Sequence, residues 1–157
     1  MMRTAAWITL SVFAAAYLIY AIATIDRRGD EVQIRSLIQD AAAAIQKHDL
    51  GGTISCVSVH YKDSTGLNYD RLRNLTATTL RIENDYTTSA EILRLDITGK
   101  DAVADVHAVV RSVGGRALYD RELTLILQKE SSRHAGIIPV EVWRVISVSN
   151  LGLNFEL

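Results

Sequence analysis

Polar and apolar residues fall into three regimes along the chain. The first is an uncharged run from Thr4 to Ile25, TAAWITLSVFAAAYLIYAIATI, with Arg3 before it and Asp26, Arg27 and Arg28 after it. A helix needs roughly 20 such residues to cross a bilayer, so the spacing predicts a transmembrane helix. In the second regime, Ile34, Leu37, Ile38, Ala41 and Ile45 repeat at helical spacing. They predict one amphipathic helix that starts near Asp30 and is ended by Gly51-Gly52 after Leu50. Thr53 to Val59 reads as a short helix or a strand, His60 to Gly66 as a loop. Asn68 suits the N-cap of a further helix running through Leu72 and Leu75 towards Leu80.

From Tyr86 onward the period changes to two. Leu93, Leu95 and Ile97 share one predicted face, with Arg94 and Asp96 opposite. After a turn at Thr98–Asp101, Ala104, Val106, Ala108 and Val110 alternate with Asp105, His107 and Arg111. Gly114-Gly115 signals a hairpin. Leu123, Leu125 and Leu127 form the inner face of a third strand. Glu130 to Pro139 reads as a polar loop before a last strand in which Trp143, Val145 and Ser147 alternate with Val142, Arg144, Ile146 and Val148. Helices followed by an antiparallel meander make the class α+β.

The 157 residues divide into a segment at 1–28 (anchor or signal, with a short linker) and a single domain at 29–157, large enough for one core. The formal net charge of −1 argues against a nucleic-acid binder. One cysteine, Cys56, excludes an intrachain disulfide, and its apolar neighbours mark it as a small buried hydrophobe.

Two readings of the first segment stay open. Ala21-Ile22-Ala23 fits a signal-peptidase site, which would release a secreted or periplasmic domain. The apolar run continues through Ile25, however, which favours a retained anchor over 4–25, with Trp7 and Tyr20 near its two ends. The reading adopted is a bacterial inner-membrane anchor with a periplasmic C-terminal domain.

No Gly-rich phosphate loop, GxSxG or HExxH is present, and no cofactor is expected. Asp105 and His107 lie two apart on one strand face, a spacing that would let them act as an acid–base pair; Arg111 shares that face. The plainer reading is a polar face paired with its neighbouring strand. His60, Tyr61, Asp63 and Asp70 gather near one loop without metal-ligand spacing, so no metal site is expected. There the plainer reading is a turn held by Asp63 and Ser64, with Gly66 at positive φ. Tyr119 to Glu122 read as a charged sheet edge. The candidate ligand-binding residues are His107, Arg111, Tyr61 and Trp143.

The order of a long helix, a short helix, a third helix and long strands resembles the NTF2-like (cystatin-like cone) superfamily from about Asp30 to Leu151. The helix ending at His48-Asp49-Leu50, the HYKDSTG segment and the terminal EVWRVISV carry the resemblance. It implies helices packed on a curved antiparallel sheet around a conical cavity, and pairing of two copies through their sheets. The superfamily includes isomerases, dehydratases and non-catalytic domains, so fold does not fix function. The expected function is a membrane-anchored, non-catalytic domain that binds a partner protein or a small apolar ligand at the cell envelope. The alternatives are an isomerase- or dehydratase-like enzyme and an assembly subunit of an envelope secretion complex.

Overall fold

The computed structural model describes residues 2–26, 28–82 and 85–152, with side chains from Ser11 onward except that of residue 82. Four helices, α1 (Met2–Ala23), α2 (Asp30–Gln46), α3 (Leu50–Ser55) and α4 (Tyr69–Ile82), precede four strands, β1 (Tyr86–Thr98), β2 (Asp101–Ser112), β3 (Ala117–His134) and β4 (Ile138–Ser149). The strands form one sheet in the order β1-β2-β3-β4. The chain packs as two compact units, residues 1–28 with 131–142, and residues 29–130 with 143–157.

In the larger unit, α2 starts where expected, with Asp30 and Glu31 at the positive end of its dipole. It stops earlier than the glycine pair suggested. His48 takes the left-handed conformation (φ 57°). Its N–H reaches the Ile45 carbonyl, and the Asp49 N–H reaches that of Ala44. This is a Schellman ending with histidine where glycine is usual. The His48 ring makes the position tenable: Nδ1 meets the Leu80 carbonyl at 2.9 Å, so that nitrogen carries the proton, and the ring lies against Tyr86. Gly51 and Gly52 belong instead to α3, capped by Asp49, whose carboxylate accepts the Gly52 N–H.

The 53–59 segment is both of its expected alternatives. After α3, Val57 bridges Val145 in parallel. The Ser58 N–H reaches the Val145 carbonyl, and the Lys62 N–H reaches that of Ile146. These bonds cover part of the exposed edge of β4. Asn68 caps α4 through the Arg71 N–H, as its sequence implied.

Residues directly opposite in an antiparallel pair share a face. Ile92–Val106, Leu95–Ala104 and Ile97–Ala102 are opposite pairs between β1 and β2, and Ala104 and Ala102 in turn face Leu125 and Leu127 on β3. This inner face packs with Ile34, Ile38, Tyr61, Leu67, Trp143 and Val145 to make the core. Leu93 corrects the sequence reading. A bulge between Ile92 and Arg94 leaves it unpaired and 51% exposed, and Ile92 takes the inward place. A second irregularity falls at Val110/Arg111. Bulges bend and twist their strands, the curvature a cone needs.

The turns also refine the expectations. Gly99 (φ 61°) starts a two-residue connection of the II′ kind, and Gly115 (φ 80°) turns the second hairpin. The expected polar loop at 130–139 is mostly strand: β3 runs on to His134 and β4 begins at Ile138. Tyr119–Glu122 lie near the start of β3, paired on one side with His107–Val110 of β2.

In the smaller unit, α1 exposes Val12, Phe13, Leu18, Ile19, Tyr20 and Ile22, while Ala21 is fully buried. Among the described residues no helix is long and apolar enough to cross a membrane. The expected position of Trp7 at one end of the span falls on a side chain outside the described set.

Candidate functional site

Strand parity places Asp105, His107 and Arg111 together on the outer face of the sheet, opposite the face covered by α2. The cross-strand rows there read Glu91–His107–Glu122 and Arg94–Asp105–Thr124. His107 Nε2 lies 2.7 Å from Asp120 Oδ1, with both side chains more than a third exposed. Thr124 donates its hydroxyl to Asp105 at 2.8 Å, and Gln128 donates to Asp101. Asp105 and His107 thus each hold a partner on β3 rather than each other. A proton-transfer pair in an apolar pocket would need enclosure, and these two stand on an open polar face.

Tyr61 and Trp143, the other two candidate ligand-binding residues, belong to the core, at 2% and 3% exposure. The structure does not bring them together with His107 and Arg111. Tyr61 directs its hydroxyl at Asp63 from 3.4 Å. Burial, then the Asp63 charge, push its phenol well above the ordinary tyrosine range. Asp63 is itself buried, and one of its oxygens accepts from the Thr65 N–H, the Thr65 hydroxyl and the Leu67 N–H. With Gly66 at φ 83°, the HYKDSTG segment is a turn organised by its aspartate. His60 and Asp70 are exposed. Among the described residues no group of three metal-ligating side chains converges.

Trp143 donates its indole N–H to Asp30. Lys129 Nζ sits 2.6 Å from the same carboxylate oxygen and 5.3 Å from the centre of the Trp143 ring. The lysine hydrogen bond, the largest effect, outweighs desolvation and with the indole hydrogen bond holds the Asp30 carboxyl below its usual range. This cluster fastens the start of α2 to the sheet.

Three residues that the sequence reading did not single out for this role lie on the helix-covered face. Thr88 and Tyr119 both stand opposite Val110, and Arg121 opposite Ala108. Among the described residues the Thr88 hydroxyl is buried without a hydrogen-bond partner. Tyr119 donates to the Leu151 carbonyl at 3.0 Å, and burial raises its phenol. Arg121, with Asp120, Glu122, Asn150 and Gly152, lines an open polar groove. The two-residue parity from Leu123 back to Tyr119 would have placed Arg121 and Tyr119 inside.

Comparison with solved structures defines the architecture. A protein of unknown function from Mycobacterium tuberculosis superposes with a TM-score of 0.62 at 16% identity, over 76% of this chain and 73% of that one. A protein of unknown function with a cystatin-like fold from Nostoc punctiforme gives 0.59 at 12% identity, over 76% and 87%. An NTF2-like protein of unknown function from Shewanella baltica gives 0.52 at 16% identity, over 80% and 94%. The domain has the NTF2-like fold. A ketosteroid isomerase-like protein from Erwinia carotovora atroseptica gives a TM-score of 0.52 at 10% identity, over 77% of this chain and 95% of that one. At these identities the likeness carries fold and no activity. No family model matches the chain, and no curated protein matches its sequence. The NTF2-like domain thus offers an outer sheet face bearing Asp105, His107 and Arg111, and an inner face bearing Thr88, Tyr119 and Arg121.

Proposed function

We propose that the protein is a membrane-tethered NTF2-like binding module, exported across the inner membrane of a bacterium, which engages a partner protein through its outer sheet face. The observation that carries the tether is the surface of α1. Val12 is 62% exposed, Phe13 70% and Ile19 68%, and no charge interrupts Thr4 to Ile25. A helix of such composition leaves water for hydrocarbon at a gain of about 25 cal/mol for each Å² of apolar surface. Export is favoured by the likeness of the same segment to a secretory signal.

Binding is favoured over catalysis by the setting of the candidate acid–base residues. Asp105 and His107 are tied to β3 on an open face, and Val103 (42% exposed) and Leu93 (51% exposed) add apolar area to that side or its rim. Mixed polar and apolar area of this kind suits protein recognition.

The test is alkaline carbonate extraction of membranes from cells making the full chain. The native chain stays in the pellet. Ala14→Arg combined with Leu18→Arg, each adding a charge that costs about 3 kcal/mol at a bilayer centre, moves it to the supernatant. Release of the native chain by carbonate would refute the tether.

A further inference from the structure

The smaller unit contains a contact with consequences for how the protein meets a bilayer. Tyr17, Ala21 and Thr24 recur at i, i+4 and i+7, so they share one face of α1. Tyr17 donates its hydroxyl to the Ala135 carbonyl at 2.6 Å. Thr24 Oγ1 lies 2.8 Å from His134 Nε2. The same Oγ1 also reaches the Tyr20 carbonyl at 2.8 Å. Between the two contacts, Ala21 is fully buried. The β3–β4 turn therefore lies along this face of the helix.

That turn is unusual in composition. Ala135-Gly136-Ile137-Ile138-Pro139-Val140 carries no charge and is flanked by His134 and Glu141. Turn tips ordinarily collect polar residues, as this chain's other two do at Thr98-Gly99-Lys100-Asp101 and Ser112-Val113-Gly114-Gly115-Arg116. Ile137, at the tip, is 51% exposed.

The register along α1 gives the apolar tip a destination. Thr24 stands at the end of the uncharged run, two residues before Asp26, and holds His134. Tyr17 stands seven residues, about 10 Å of helix, nearer the middle of the run, and holds Ala135. The polar pair thus lies level with the boundary of the run and the apolar turn lies beside the run itself. We infer that the tip Ala135–Val140 enters the lipid bilayer beside the C-terminal half of α1, as a second membrane contact. The inference rests on the tether reading. Backbone groups entering lipid need internal partners. Here the Ile137 N–H bonds the His134 carbonyl, and Tyr17 satisfies the carbonyl of Ala135. Insertion of an apolar tip to the headgroup–acyl boundary, about 5–10 Å, is what interfacial elements achieve.

The experiment uses the full chain carrying Cys56→Ala, reconstituted in phosphatidylethanolamine–phosphatidylglycerol vesicles. A polarity-sensitive fluorophore is attached to Ile137→Cys, Ile19→Cys or Val113→Cys in turn, and some lipids carry an acyl-chain quencher. The expected result is a blue-shifted emission and quenching for the labels at 137 and 19, and neither for the label at 113. Quenching at 19 with the label at 137 behaving like that at 113 would overturn the hairpin inference and leave the tether intact. Quenching at neither 19 nor 137 would overturn both.

Discussion

Trp143 donates its indole N–H to Oδ1 of Asp30 over 3.2 Å, which joins the last strand to the first residue of α2 across 113 positions of sequence. Lys129 completes the cluster on the same oxygen. Asp30→Asn is expected to lower stability by about 1 kcal/mol, through loss of the ion pair and of negative charge at the helix start. The Asp30 carboxyl is held below its ordinary value of 3.8, so its contribution is complete above that pH and fades as pH falls through the lower, folded-state value. Thermal melts of native chain and variant at pH 7 and pH 3 check this: the gap between them is to be smaller in acid.

The Cys56 thiol is expected to be inert in the folded chain. Burial pushes its pKa up to about 11, and it donates to the Thr53 carbonyl at 3.1 Å. At pH 8 the folded thiolate fraction is then on the order of 100-fold below that of an unfolded cysteine. A thiol-reagent time course in native buffer and in denaturant measures the ratio, and rapid labelling of the native chain would contradict it.

Gly51 and Gly52 are adjacent yet should respond differently to alanine. A Cβ on Gly52 would stand 2.6 Å from Asp49 Oδ2 and 2.9 Å from the Ala44 Cβ, whereas one on Gly51 would meet only Asp49 Oδ1 at 3.4 Å. Gly52→Ala is expected to cost about 1–3 kcal/mol by forcing α3 away from α2. Gly51→Ala should lie between neutral and a gain of about 1 kcal/mol from helix propensity. Thermal melts of the two variants decide it.

Leu93 and Leu127 separate the observed register from the one that plain alternation implies. Leu127 has no exposed surface and Leu93 is half exposed. Leu127→Ala should cost about 2–5 kcal/mol and Leu93→Ala about 0.5 kcal/mol or less. Equal losses in denaturant melts would contradict the bulge.

Much of the architecture was legible in the sequence because it rests on local chemistry. Asn68 had to cap something, Gly99 and the Gly114-Gly115 pair had to turn, and alternation around Ala104 and Leu125 had to bury one face. The misplacements share a cause, in that distant contacts overrode the local signal. Ile92 replaced Leu93 because a bulge shifts parity by one. His48 ended α2 because the Leu80 carbonyl and the Tyr86 ring support its strained backbone. Ser131 to His134 became strand because β3 runs on towards β4, its neighbour in the sheet. Parity correctly put Asp105, His107 and Arg111 on one face, but which face the helices cover is a tertiary fact. Tyr61 and Trp143 read as candidate binders because aromatic residues suit both roles, and only packing separates a core from a pocket.

The tether is the claim on which the functional account turns. A reporter active only outside the cytoplasm, fused after Leu157, tests it directly when the product is run beside an uncleaved size standard. The account predicts an active reporter on a full-length, membrane-bound product. An active but shortened product would replace the tether with a cleaved signal, and an inactive full-length product would place the NTF2-like domain on the cytoplasmic side and contradict the account.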